Sequence, residues 1–157
     1  FNAFEVPGSG RIVVPVAEGD ALSGVAATLD ERTNGALTAA AAEASFTGSD
    51  GATLTLYGVA PYSRIDLIGT GAGTVDRVGA ENFGGRAAAL LGDTKGGSVQ
   101  ILWPDDNVDA QATAARVACG FRLRSYRFDR HQAEKVDAST LPAVTLLKLC
   151  LMRHCGK

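Results

Sequence analysis

A chain of 157 residues is long enough for one domain to bury a substantial core without disulfide staples. Hydrophobic residues make up 46% and charged residues 20%, which excludes an intrinsically disordered chain, and no apolar run approaches the roughly 18 residues of a membrane span. The net charge of −2 is unevenly spread: residues 1–110 hold six Lys/Arg against 14 Asp/Glu, and residues 111–157 hold nine against three. A basic C-terminal stretch of this kind reads either as a solvated helix end and tail or as an interaction surface.

In chain order, Phe1–Glu5 show no basic segment leading into an apolar one, so no secretory signal is expected, and the start reads as trimmed. Arg11–Val16 is a β-branched run and predicts a strand whose far end Pro15 demotes to an edge or a bulge. Ser23 is the expected cap of a short helix with Val25, Ala26 and Leu29 on one face, broken by Thr33-Asn34-Gly35. The alanine-rich stretch 36–44 predicts a second helix. After the turn cluster 47–51, Thr53–Tyr57 alternates as a strand, and Arg64–Ile68 is another. Asp76 is positioned to cap a helix carrying Phe83, Ala87, Leu90 and Leu91 on one face, and Gly84-Gly85 in its middle suits close approach of a neighbouring element. Ser98–Leu102 is a short strand. Asp109 is the expected cap of the clearest helix, with Ala110, Ala114, Val117, Ala118 and Phe121 inward and Arg122 and Arg124 outward. Val144–Leu147 is the last strand. Strands alternating with helices predict a three-layer α/β domain, a central mixed sheet flanked by helices.

Candidate chemistry is sparse. Asp105, Asn107 and Asp109 match three positions of a calcium loop, but Ala110 and Arg116 stand where glycine and glutamate are required, so helix capping is the expected role. Gly69, Gly71 and Gly73 follow a strand and precede a helix, the setting of a phosphate-cradling turn. Thr74 displaces the pattern, however, and a structural turn without dinucleotide binding is expected. Cys150, His154 and Cys155 match no zinc spacing, and with Cys119 the three cysteines are too few for a disulfide framework, as in a reducing cytosol. His131 and His154 are the only histidines, and no nucleophile motif accompanies them. Five arginines between Arg116 and Arg130 interleave with Phe121, Tyr126 and Phe128. That pattern suits nucleic acid or a protein interface.

The run Arg122-Leu123-Arg124-Ser125-Tyr126-Arg127-Phe128-Asp129-Arg130-His131 resembles the "GxYRFDRYK" signature of the leucyl aminopeptidase family. Gly35–Thr38 with Phe46–Gly48 is similar to its "GALxxAxxxxxFxGK", Arg64–Gly71 to its "RVLLVGLG", and Leu141–Leu147 to its "LKKVTLL". The resemblance covers about residues 10–148 and departs from the family at His131 and after Leu147.

What it implies is an aminopeptidase N-terminal domain of macro-like fold over 1–138, followed by the start of an interdomain segment and an atypical tail over 139–157. The family's two divalent metal ions, zinc or manganese, belong to a C-terminal catalytic domain whose "NTDAEGR" motif is absent from this sequence. No cofactor, metal ligand or catalytic residue is therefore expected on this chain, which alone is expected to be inactive. The expected partners are that catalytic domain and further copies in a cytoplasmic homohexamer. Tyr126, Arg127, Phe128, Asp129 and Arg130 are the expected docking residues. The alternatives are a nucleotide- or ADP-ribose-binding module using Gly69–Gly73, and a DNA-contacting module supported by the charge asymmetry alone.

Overall fold

The computed structural model describes residues 8–19, 22–91, 98–104, 110–125 and 143–149. Strand β1 (Gly10–Ala17) leads into helices α1 (Val25–Arg32) and α2 (Ala36–Glu43), then β2 (Thr53–Tyr57) and β3 (Tyr62–Gly71). Helix α3 (Arg77–Leu91), β4 (Ser98–Pro104), α4 (Ala110–Ser125) and β5 (Ala143–Leu149) complete the order. The sheet runs β2-β3-β1-β4-β5, with β2 alone antiparallel to its neighbour. It is the mixed α/β sheet that the alternation of elements predicts.

Side-chain alternation along the strands splits the core in two. On one face Ile12, Val14, Val16, Ile65, Leu67 and Leu102 pack with Val25, Ala26 and Leu29 of α1 and Leu37 of α2. On the other, Val13, Ile68, Val99, Ile101 and Trp103 pack with Phe83, Ala87 and Leu91 of α3 and Val117 of α4. Trp103 and Phe83 meet edge to face at 5.0 Å.

Pro15 sits in the central strand, yet its far end is one-sided. The β1–β4 ladder ends at Val13↔Ile101, while β1–β3 continues through Pro15↔Ile68 and slips between Val16 and Ala17. A residue without an amide hydrogen thus lies past the second ladder.

Buried Asp66, on β3, pairs with Arg64 through Nε at 2.8 Å and also accepts the Thr55 hydroxyl of β2. Arg64 in turn donates to the Leu90 carbonyl at 3.0 Å, tying the end of α3 to the sheet. Asp30 of α1 caps α2 from a distance, accepting from the Leu37 and Thr38 amides at 2.9 and 3.0 Å.

Two expectations are corrected. Ser23 does not cap α1; Gly24 occupies that position. Ala118 faces solvent and Phe121 is only partly buried, because the inner face of α4 is rotated toward buried Gly120. Gly120 lies so close to Glu81 that an added Cβ would come within 2.7 Å of the Glu81 carbonyl carbon. Gly84 of α3 likewise abuts the backbone of Val117 and Phe121. The close approach expected of the Gly84-Gly85 pair is therefore made by Gly84.

Candidate functional site

Helices α1 and α2 cover one face of the sheet and α3 and α4 the other, so chain connections leave β1 and its two neighbours toward opposite faces. A crevice opens at such a switch point, outside the carboxyl ends of the parallel strands. Here it is a cleft of about 610 Å³ lined by Pro15 and Ala17 of β1, Thr70 of β3, Trp103 of β4, the segment Ser23–Val25 and the turn Gly73–Asp76.

Its described polar side chains are Ser23, Thr70, Thr74, Asp76 and Thr113. Asp76 caps α3 as expected, Oδ1 accepting the Gly79 amide at 2.7 Å. The Thr70 hydroxyl donates to the Val16 carbonyl at 3.2 Å. Across the sheet from α3, Ser23–Val25 bring the start of α1, with Gly24 at its N-cap, to the same space. Trp103, 7% exposed, also lines it. Neither Trp103 nor the α1 terminus stood out in the sequence; only the alternation of strands and helices signals a crevice at this place.

Gly69 and Gly71 do not cradle a ligand. Their amides donate to Ala52 and Gly48 carbonyls at 2.7 and 3.0 Å, closing the ends of the strands onto the 47–51 turn. A side chain on Gly69 would run into Gly48 and Ser49, and Gly48 itself adopts φ +76° against the Ala17 carbonyl. Of the three glycines only Gly73 lines the cleft. The expected turn is therefore shorter than the motif: β3 runs on through Gly69 to Gly71, and the chain bends only at Ala72 and Gly73.

The remaining described carboxylates are mostly held in architecture. Asp50 in the 47–51 turn meets Arg86 of α3 at 2.7 Å, and Glu81 meets Arg116 at 2.6 Å between α3 and α4. The hydrogen bond from Arg86, reinforced by its charge, holds the Asp50 carboxyl below its ordinary value. Among the described residues no cluster of three or more His, Cys, Asp or Glu could hold a metal ion. None of their helices is long and apolar enough to cross a membrane.

The docking residues Tyr126, Arg127, Phe128, Asp129 and Arg130 lie outside the described residues, as do the Asp105–Asp109 set, His131, and Cys150 with His154 and Cys155. What is described is the helix end leading to Tyr126: Leu123 is 69% exposed, and Arg122 and Arg124 also face outward, as expected.

Comparison with known proteins adds to this geometry. The model of the cytosol aminopeptidase family's N-terminal domain matches residues 13–135. A probable cytosol aminopeptidase of Caulobacter vibrioides is 37% identical over 143 residues, covering 88% of this chain and 28% of the relative. Another, from Brucella suis, is 31% identical over 147 residues, covering 90% and 29%. Among solved structures, a mutant of tomato leucine aminopeptidase superposes with a TM-score of 0.72 at 23% identity, over 90% of this chain and 30% of its own, which shows a shared fold. This chain therefore spans less than a third of the length of the curated relatives it matches.

Proposed function

The chain belongs to the cytosol aminopeptidase family, as its N-terminal domain, and from that premise we propose that it is the non-catalytic part of a dinuclear-metal leucyl aminopeptidase, serving assembly and docking onto the catalytic domain. The observation that carries this is the match of the N-terminal domain model to residues 13–135. The carboxylates add support: Asp30, Asp50, Asp66, Asp76 and Glu81 each hold a helix end, a turn, a strand pair or a helix pair in place. In this reading the zinc or manganese of the parent enzyme belongs to the catalytic domain. Cytoplasmic residence and a homohexamer are part of the same proposal.

Docking is assigned to Tyr126, Arg127, Phe128, Asp129 and Arg130. They follow in sequence the last turn of α4, which presents Leu123, Arg122 and Arg124 to solvent. Exposed apolar and arginine side chains in one place suit an interface more than bare surface. Tyr126→Ala and Phe128→Ala are then expected to leave the melting temperature of this chain nearly unchanged while impairing assembly of the full-length parent. If both variants melt more than about 10 °C lower, the two aromatics belong to this domain's own core and the docking role is lost.

A further inference from the structure

Among the described residues β2 pairs with β3 alone, so it forms one edge of the sheet. Its register is unbroken, from Thr53↔Ile68 to Tyr57↔Arg64. The ladder is closed at its ends by the Gly69 amide donating to the Ala52 carbonyl at 2.7 Å and the Gly58 amide donating to the Ser63 carbonyl at 3.1 Å. Bonded and non-bonded pairs alternate in an antiparallel ladder, so Leu54 and Leu56 turn their backbone groups toward β3, and Thr53, Thr55 and Tyr57 turn theirs outward. Natural edges are guarded by charge, proline or a bulge. None of these guards β2: residues 51–60 hold no charged residue and no proline, and the register does not slip. At the end of the strand Tyr57 is 71% exposed, one of the few large apolar side chains on the described surface.

We propose that this edge pairs with the same edge of a second copy, β2 against β2 about a twofold axis at Thr55, joining two sheets into one. The occupant is a second copy because the edge is its own complement. A twofold axis normal to the sheet makes the pair antiparallel and brings one surface patch onto itself. Thr55 then stands opposite the partner's Thr55, and Thr53 opposite the partner's Tyr57. These are the residues whose backbone groups point outward, so each outward amide meets an outward carbonyl along the whole strand. On the face toward α2, partly buried Leu54 comes beside the partner's Leu56. On the opposite face Tyr57 is partly covered by the partner's Thr53. No charge on the strand opposes a like charge. A contact built on five residues is small, at or below the ~1,200 Å² that marks weak complexes, so the dimer is concentration-dependent. The proposed homohexamer can contain such a contact, but the observations concern this chain alone and do not rest on that reading.

The test is the sedimentation of the 157-residue protein over about 1–200 μM, where monomer is expected to pass into dimer. Thr53→Pro removes one outward amide at the first residue of the strand, a place that tolerates proline, and is expected to weaken the dimer at least about tenfold without lowering the melting temperature of the monomer. Disulfide trapping reads the register. In a background of Cys119→Ser, Cys150→Ser and Cys155→Ser, the double variant Thr53→Cys with Tyr57→Cys is expected to cross-link two chains on mild oxidation. Opposed Cα atoms of a bonded pair lie about 5.5 Å apart, within disulfide reach, whereas four residues along one strand span about 13 Å. Either single variant is expected to cross-link far less, because position 53 opposes position 57 and not itself. If Thr53→Pro melts lower, the cross-link decides instead. A chain that stays monomeric throughout, a dimer undiminished in a Thr53→Pro variant of unchanged melting temperature, or single variants that cross-link as readily as the double would each overturn the proposal. None of these results bears on the family of the chain or on the docking role of Tyr126–Arg130.

Discussion

Gly84 and Gly85 are neighbours in sequence with opposite duties. A methyl group on Gly84 would meet the Phe121 amide nitrogen at 2.8 Å and the Val117 backbone closer still, whereas on Gly85 the nearest atom is the Gly120 carbonyl oxygen at 3.8 Å. Gly84→Ala should therefore force α3 and α4 apart and destabilise by about 1–3 kcal/mol in urea unfolding, despite the gain in helix propensity. Gly85→Ala should be neutral or stabilising by up to about 1 kcal/mol. Equal losses at both sites would show that the two helices do not cross at Gly84. Asp50 provides a pH-dependent residue. Arg86 lowers its pKa in the folded state, so the pair stabilises above the ordinary carboxylate value of 3.8, and that contribution is lost as pH falls through the lowered folded value. Melting curves of Asp50→Asn and the unaltered protein should differ slightly at neutral pH and converge in acid; a gap that widens in acid would contradict this sign.

At the scale of elements, α4 shows what a hydrophobic pattern misses. Its periodicity places Ala118 and Phe121 inside, but the helix presses its backbone onto Glu81 at Gly120, and a glycine contributes nothing to an apolar stripe. The helix turns accordingly, leaving Ala118 outside and Phe121 half in. Phe121→Ala should then cost about 2 kcal/mol in chemical denaturation, short of the ~3–5 kcal/mol of a fully buried aromatic. A loss above about 4 kcal/mol would restore the deeper position expected from sequence. The strands were legible because alternation is dense: Thr53–Tyr57 and Arg64–Ile68 form strands as expected, here paired antiparallel, and Val144–Leu147 lies within β5. The Asp76 cap was legible because it is local. The capping of α2 by Asp30 and the glycine N-cap of α1 were not, since the first joins residues seven and eight apart and the second depends on the unusual backbone of Gly24.

At the scale of the whole molecule, the fold class followed from element order and the family from the motifs, while the cleft did not show. Its described walls come from six separate elements and connections, and no short motif marks them. The Gly69–Gly73 turn was the nearest sequence signal, and the structure uses most of it to close the sheet onto the 47–51 turn. The molecule that results is a three-layer domain whose described carboxylates largely hold its own elements together, and whose α4 ends in outward-facing Arg122, Leu123 and Arg124. The central claim is that such a domain contributes docking and assembly, not catalysis. It is tested most directly by assaying the purified chain for release of leucine from a leucyl amide with manganese or zinc added. No release above the metal-only background is expected; metal-dependent turnover that follows the concentration of this chain would contradict the account.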